Sequence, residues 1–471
     1  MSDISPKKPK FRLPHTLVLV AALIAIVLAL SWVIPSGSFE RVEKDGRQVP
    51  VPGSYHQVEK TRLGPHWLML APIKGFAEGA EIIAFLLLIG GAFAVIEATG
   101  IVEFAIRRLT ATLTARPKLE FLLIPVMMTI FSLGGAIFGM SEETIPFILI
   151  FVPLAISLGY DSIVGVSIPF LGAAAGFAAA FFNPFTVGIA QGLAGVPLYS
   201  GLGYRVFTFV VGTAVMIAWV MAYARKVKKH PEASLVYEID RQRDLSAFDR
   251  TAAPEPWTGR RALVLFIFLA SMATLVWGIL EKQWYIEEIG ALFLAMGILM
   301  GLVAGLASDR MATSFIAGAK DMIGVALIIA GARALLIIGK EGQVLDTLLH
   351  YGSQPISALP PVIAAQLMFL LQCGINFFIH SGTGQAALTM PVMAPLADLV
   401  GLTRQTAVYA FQLCEFVNPI LPTSAVTMGV LGMAKIPWEK WARFFLPLMI
   451  VLMVLSLLLL VPPVLTNWGP V

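Results

Sequence analysis

The stretch CGINFFIHSGTGQAALTMP at residues 373–391 decides the fold, because small and polar residues interrupt an apolar run at its centre. A stretch of the same character, GAIFGMSEETIPF, lies at 135–147. Ser141 and Ser381 are 240 residues apart (381 minus 141), and the same offset relates the segment GGAFA, which begins at Gly90, to AGARA, which begins at Ala330. The sequence therefore predicts an internal repeat whose two copies carry matched interruptions.

Composition sets the class of protein. The chain of 471 residues is 58% hydrophobic and 13% charged, well below the roughly one-quarter charge of soluble domains. It is therefore predicted to be an all-α polytopic membrane protein. The net charge of +4 predicts no nucleic-acid partner, because the basic residues concentrate in short loops. Cys373 and Cys414 lie in apolar segments and are predicted to be free thiols.

The apolar runs predict the course of the chain through a lipid bilayer. Segment 1–12 is basic and precedes a first helix that we expect to be retained, with its N-terminus in the cytoplasm. The polar segment 35–66 is predicted to lie outside, as is the C-terminus, in a bacterial inner membrane. Membrane crossings are predicted at 13–34, 81–103, 162–196, 204–224, 261–280, 288–307, 320–340, 404–434 and 441–463.

Two further stretches, 119–159 and 359–400, are long enough for two crossings but hold polar residues at their centres. Irregular backbone at membrane depth is tolerated only where protein or a water-filled cavity covers it. We therefore predict two re-entrant hairpins of opposite orientation, which makes the repeat inverted. The predicted organisation is an N-terminal helix and outside loop at 1–66, repeat 1 at 67–224, a cytoplasmic linker at 225–260, connecting spans at 261–310 and repeat 2 at 311–471.

Each hairpin is followed by a predicted broken helix, within 162–196 and 404–434, where an Asn-Pro pair interrupts the apolar run. Proline removes a helical hydrogen bond, and helix ends leave carbonyl and N–H groups without partners. These groups suit a cation and a carboxylate, respectively. The predicted substrate residues, from tips, breaks and membrane-embedded charges, are Ser141, Glu142, Glu143, Thr144, Asn183, Arg333, Ser381, Gly382, Thr383, Gln385, Glu415, Asn418, Thr423 and Ser424.

Ionisable residues inside apolar runs point to function because each is costly in hydrocarbon. Arg333 is predicted either to bind substrate or to form an internal ion pair with Glu97 or Glu415. Glu142 and Glu143 diverge by about 100° on a helix, so we expect one to face substrate and the other to cap the hairpin. His380 is open to two readings, a hydrogen-bonded hairpin residue or a proton-coupling group.

Five motifs lie along the chain: GMSEE (139–143), IAQGLAGVP (189–197), SGTGQAALTMP (381–391), APLADLVGLTRQ (394–405) and PTSA (422–425). These motifs resemble those of the YfcC-like carriers, which are related to the C4-dicarboxylate anaerobic carriers and to arginine/ornithine antiporters in the ion-transporter superfamily. The resemblance covers nearly the whole chain. It implies a homodimeric elevator with a scaffold and a transport domain, and hairpin-tip sites for substrate and sometimes Na⁺ at Ser141, Asn183, Ser381, Thr383 and Thr423.

Two substrate classes remain open from the sequence. Up to three glutamates near the site favour a basic or zwitterionic amino acid, moved by exchange or with an ion. The alternative is a C4-dicarboxylate bound by Arg333, with the glutamates coupling Na⁺ or H⁺. No cofactor other than such an ion is predicted. An ion channel fits matched hairpins less well, and an enzyme is disfavoured because HExxH and GxSxG motifs are absent from the sequence.

Overall fold

The computed structural model describes residues 16–44, 47–243, 256–282, 284 and 286–469. The basic N-terminal segment, the centre of the predicted linker at 244–255 and the last two residues lie outside this part of the chain. The described residues are mainly helical. The described part of the chain begins with a helix and two small antiparallel strand pairs, β1 with β4 and β2 with β3. These elements are α1 (Thr16–Val33), β1 (Gly37–Ser38), β2 (Arg41–Lys44), β3 (Arg47–Pro50) and β4 (His56–Gln57).

The two predicted repeats contain eight and nine of the described helices, respectively. The first contains α2 (Trp67–Glu78), α3 (Ala80–Ala98), α4 (Ile101–Thr114), α5 (Pro117–Phe138), α6 (Ile145–Ser157), α7 (Ser162–Ala178), α8 (Ile189–Ala194) and α9 (Leu202–Lys229). The connecting helices are α10 (Tyr237–Arg241), α11 (Gly259–Lys282) and α12 (Ile286–Ala304). The second contains α13 (Ser308–Asp321), α14 (Ile323–Glu341), α15 (Leu345–Ser353), α16 (Pro361–Asn376), α17 (Gly382–Leu399), α18 (Arg404–Leu413), α19 (Ala425–Met433), α20 (Trp438–Leu459) and α21 (Val461–Leu465).

The membrane class is supported by helix length and composition. Among the described residues, seven helical segments are long and apolar enough to cross a bilayer. The predicted span at 320–340 is interrupted at Met322, between α13 and α14. The seven segments are Ala80–Ala98, Leu119–Ile137, Leu202–Lys229, Ile286–Ala304, Ile323–Glu341, Arg404–Met433 and Trp438–Leu465.

The stretches predicted as hairpins are each two helices joined by a short polar segment. In the first, the Phe131 ring of α5 packs 5.1 Å from Phe147 and 5.6 Å from Phe151 of α6. In the second, the Gln372 amide of α16 donates to Thr389 Oγ1 of α17 at 2.9 Å. In each stretch these contacts bring together side chains from both sides of the polar segment, so the chain turns back there. Their re-entrant course in the membrane stays a prediction.

Both predicted broken helices are interrupted where the sequence places proline. After α7 the chain enters a π-helical turn at Pro184–Gly188, and after α18 it enters a 3₁₀ segment at Cys414–Ile420. Asn183 Oδ1 accepts hydrogen bonds from the N–H groups of Phe185 and Thr186, at 2.9 and 3.2 Å. The asparagine thereby supplies acceptors for N–H groups at the start of the turn, as an N-cap does.

The described parts of the predicted linker are held against the helical body. The Asp240 carboxylate of α10 accepts from the backbone N–H of Ser162 at 2.8 Å. Asp161 Oδ2 accepts from Ser234 Oγ and from the Tyr223 hydroxyl, both at 2.7 Å. The segment around 234–243 therefore caps the start of α7 instead of running free in solvent.

Close packing of α5 on α7 depends on glycine. A Cβ built on Gly176 would lie 1.7 Å from the Ser132 carbonyl oxygen, and one built on Gly135 would lie 2.2 Å from that of Ala173. Contacts this short leave no room for a methyl group, so the two backbones touch directly. Small residues have the same role in other membrane helix pairs.

We expect Gly176→Ala to lower the free energy of unfolding by about 1–3 kcal/mol, because the added methyl group would force the backbones of α5 and α7 apart. The measurement is the midpoint of thermal unfolding of purified protein in detergent. Gly192→Ala is the matched control, since Gly192 is also helical and a Cβ there meets nothing within 4 Å. Equal midpoints for the two variants would contradict the proposed close contact.

Candidate substrate site

A cavity of about 220 Å³ lies where the two hairpin tips meet the second helix break. Helix α14 and the junction between α2 and α3 form another wall. Ten of the fourteen residues predicted from the sequence line this cavity. They are Ser141, Glu142, Arg333, Ser381, Gly382, Thr383, Glu415, Asn418, Thr423 and Ser424.

The first tip separates the roles of its adjacent glutamates. Glu143 is buried, and its Oε2 accepts from the Ser141 backbone N–H at 2.8 Å. Thr144 Oγ1 donates to the Ser141 carbonyl oxygen at 2.6 Å. Glu143 and Thr144 thus hold the turn from behind, whereas Glu142 lines the cavity. Gly139 has φ +77° beside Asn183, a left-handed conformation that glycine adopts without strain.

The second tip contacts both helix breaks. Thr383 Oγ1 donates to the Phe185 carbonyl oxygen at 3.0 Å, which joins this tip to the first break. His380 Nε2 and Thr423 Oγ1 are 2.5 Å apart, which joins it to the second break. His380 is therefore hydrogen-bonded at the second tip, and its coupling of protons stays a prediction.

Of three charged residues that the sequence grouped together, two lie at the cavity and the third, Glu97, lies elsewhere. Glu415 and Arg333 line the cavity, while Glu97 lines a different cavity of about 550 Å³. Among the described residues, Arg333 forms no ion pair with Glu97 or Glu415. Glu415 is 1% exposed, and its Oε2 accepts from the Asn418 side-chain amide.

Four predicted residues lie outside the lining of the cavity: Glu143, Thr144, Asn183 and Gln385. Asn183 and Glu143 hydrogen-bond local backbone, as described above. Gln385 is fully buried, and its amide donates to the Gln372 carbonyl and side-chain oxygens at 2.9 and 2.8 Å. These side chains support the tips and breaks from within the protein.

Two glutamates that the sequence did not single out, Glu78 and Glu81, also line the cavity. They flank Gly79, where α2 ends and α3 begins. The sequence signal is the acidic EGAE segment between two apolar runs, whose last residue, Glu81, begins the crossing predicted at 81–103. Glu78 also accepts from Lys340 Nζ at 3.0 Å, so its charge is balanced at the cavity edge.

A second cavity of about 600 Å³ adjoins the first on the side that carries strands β1–β4. The two cavities share Glu78, Arg333, His380 and Ser381. The cavity that contains Glu97 shares no described lining residue with the site. In this conformation the site therefore adjoins the cavity on the strand side and not the cavity that contains Glu97.

A cavity lined by interrupted helices, together with seven membrane-length segments among the described residues, is the architecture of a multispanning membrane transporter. The comparison with family models agrees with this class. The model described as C4-dicarboxylate anaerobic carrier, DcuC, matches residues 13–464. The chain belongs to this family of carriers, and it is not an enzyme.

Two curated proteins are similar to the chain along nearly their whole length. One is "Putative basic amino acid antiporter YfcC" of Escherichia coli (strain K12), which is 37% identical and covers 97% of each chain. The other is an uncharacterized protein of Haemophilus influenzae, which is 30% identical and covers 98% of each chain. The resemblance to YfcC-like carriers is thus confirmed.

Two solved transporters are more distant. The YdaH transporter of Alcanivorax borkumensis is 17% identical with a TM-score of 0.43, and the match covers 97% of this chain and 100% of that one. MtrF of Neisseria gonorrhoeae is 17% identical with a TM-score of 0.40, and the match covers 95% and 94%. Likeness at this level supports no assignment of substrate or mechanism.

Proposed function

We propose that this protein exchanges basic amino acids of the arginine/ornithine type across the bacterial inner membrane. The observation that carries the proposal is the charge of the cavity. Among its described lining residues there are four glutamates and one arginine: Glu78, Glu81, Glu142, Glu415 and Arg333. After the Glu78–Lys340 pair is set aside, the site still has more negative than positive groups, which favours a cationic substrate.

In this proposal the substrate's α-carboxylate binds Arg333, whose guanidinium suits planar carboxylate recognition. Its side-chain ammonium or guanidinium binds Glu142, and Glu81 lines the same cavity. The name of the Escherichia coli relative supports the same class of substrate. A C4-dicarboxylate, suggested by the family description, would have to place its second carboxylate among glutamates.

We further propose an elevator mechanism in a homodimer. The scaffold would contain α2, α3, α13 and α14, because α2 packs along α14 and α3 packs along α13. The moving transport domain would contain the two hairpins, α5–α6 and α16–α17, and the two broken helices, α7–α8 and α18–α19. The cavity lies between these groups, as alternating access requires of a substrate site.

The test is counterflow in liposomes containing purified protein loaded with unlabelled amino acid. We expect labelled arginine to accumulate against internal arginine, ornithine or lysine, and not against neutral amino acids or succinate. Liposomes without protein and liposomes with Arg333→Gln protein are the controls. Accumulation of labelled succinate, with no arginine exchange, would assign the chain to dicarboxylate transport instead.

A further inference from the structure

A cavity of about 590 Å³ lies beside the second hairpin, and none of its described lining residues is charged. It is lined by the residues just after α1, by α15 and by α16 and α17 of the hairpin. Two hydroxyl groups in the lining already have partners. Thr347 Oγ1 lies 3.0 Å from the Tyr55 hydroxyl, and the Tyr351 hydroxyl accepts from the Gln57 amide at 3.1 Å. The space is therefore suited to an apolar group, and we call it the apolar cavity.

The apolar cavity adjoins the cavity of about 600 Å³ on the side of the strands, which we call the strand-side cavity. Leu345 and Leu388 line both of them. The strand-side cavity in turn shares Arg333 with the substrate cavity. Tyr351 lines the apolar cavity and is 43% exposed, so this cavity reaches the surface of the protein. The three cavities thus adjoin one another in series, from the surface to the substrate site.

The strand-side cavity has one cation that is not balanced. Five Arg, Lys, Asp and Glu side chains are among its described lining residues. Arg41 pairs with Asp346 at 2.8 Å, and Lys340 pairs with Glu78 at 3.0 Å. Among the described residues, Arg333 has no ion-pair partner. The charge that remains favours an anionic group at Arg333.

These two features together define the chemistry of a ligand. A guanidinium binds a carboxylate with good geometry. A hydrocarbon chain attached to that carboxylate needs apolar surroundings, and the apolar cavity provides them next to the charged one. A single apolar cavity adjoins the strand-side cavity among those described, which favours a ligand with one chain over a phospholipid with two.

We propose that the two adjoining cavities bind a long-chain carboxylate, such as a fatty acid, with its carboxylate at Arg333 and its hydrocarbon chain in the apolar cavity. The ligand would come from the surrounding bilayer, into which acyl chains partition. Because Arg333 also lines the substrate cavity, the bound carboxylate would exclude that of the substrate and inhibit exchange. The inhibition rests on the proposed function, but the binding does not.

Gly374 offers a way to fill the apolar cavity without disturbing its walls. It lines the cavity, and a Cβ built on it meets nothing within 4 Å. Gly374→Leu would place a side chain in the open space, and leucine favours the helix more than glycine does. The matched control is Gly192→Leu, since Gly192 is also helical with nothing within 4 Å of its Cβ but lies outside this cavity.

The test is photolabelling of purified protein in phosphatidylcholine liposomes with dodecanoate that carries a diazirine near its methyl end. Its methyl ester is the matched probe, because the ester has the same chain but no charge. We expect the acid to label peptides of α15 and α16 in a saturable way. Half-saturation should need at least about tenfold less acid than ester, because only the acid has the charge that Arg333 binds.

Two variants test the chain and the carboxylate separately. Gly374→Leu should lower the affinity for the acid at least about tenfold, because the leucine side chain occupies the place of the chain. Gly192→Leu should leave it unchanged. Arg333→Gln should remove the difference between acid and ester, whereas Lys320→Gln, which removes an exposed cation on α13, should preserve it. The second pair of variants keeps the test valid if Gly374→Leu does not fold.

Equal labelling by acid and ester in the wild type would overturn the proposal, as would labelling by the acid that is unchanged in both Gly374→Leu and Arg333→Gln. Labelling of the same peptides by a diazirine phosphatidylglycerol, and not by the acid, would assign the cavity to a membrane lipid and would also overturn it.

Arginine exchange is measured in parallel, with and without dodecanoate. We expect dodecanoate to raise the arginine concentration for half-maximal exchange and to leave the maximal rate unchanged. If the acid binds as expected and arginine is not exchanged, the proposed function fails alone. If arginine is exchanged and labelling by the acid is not saturable, the long-chain carboxylate site fails alone.

Discussion

Arg333→Gln is expected to raise the arginine concentration for half-maximal exchange by about 100-fold, because it removes the only guanidinium among the described residues that line the site. Loss of one partner from a buried charge pair typically costs about 2–5 kcal/mol, or roughly 30-fold to several thousand-fold. The measurement is initial exchange rate against external arginine in liposomes of matched protein content.

Comparing arginine with its methyl ester distinguishes loss of a contact to the substrate carboxylate from a general loss of activity in Arg333→Gln. The ester lacks the negative charge that Arg333 would bind. The wild type should lose affinity for the ester, and Arg333→Gln should bind ester and arginine about equally. Lys320→Gln is the control for removing a basic residue, since Lys320 is exposed on α13 away from the cavity. If the mutant still strongly prefers arginine over the ester, Arg333 does not bind the carboxylate.

Crosslinking position 321 to position 435 is expected to stop exchange almost completely. Lys435 Nζ lies 2.8 Å from Asp321 Oδ2, and this ion pair joins α13 of the proposed scaffold to the turn after α19 of the proposed transport domain. An elevator must move these groups apart, so a covalent link would hold the protein in one state. The variant is Asp321→Cys with Lys435→Cys, treated with a short bifunctional thiol reagent.

The background for this experiment carries Cys373→Ala, because Cys373 is only partly buried, whereas Cys414 is fully buried and protected from the reagent. The matched control is Lys74→Cys with Glu341→Cys. In the wild type, Lys74 and Glu341 form an ion pair of 2.7 Å between α2 and α14, both in the proposed scaffold. Continued exchange after complete crosslinking at 321 and 435 would rule out relative motion there.

Breaking the ion pair without a crosslink should have a small effect. Both side chains are more than half exposed, and exposed pairs contribute about 0–1 kcal/mol. The large effect is therefore specific to the covalent link, and it reports motion instead of stability.

The repeat and the class of protein could be predicted from the sequence because both depend on local composition. The proline and glycine interruptions near Pro184, Pro419 and Gly382 mark places where a helix cannot continue regularly, whatever it packs against. Ten predicted residues were accordingly found around one cavity. The separate roles of Glu142 and Glu143 also followed in outline from their angular separation on a helix.

The sequence by itself determined that this chain is a helical membrane protein, and it predicted two matched halves with polar sites at the interruptions. Only the tertiary structure decided which polar atoms are already satisfied. It brought Glu78 and Glu81 to the cavity, separated Glu97 from Arg333, and left Glu415 with unpartnered neighbours. The reason is physical: a residue's type fixes its charge and hydrogen-bonding groups, but its partners come from helices distant in sequence and exist only once those helices pack.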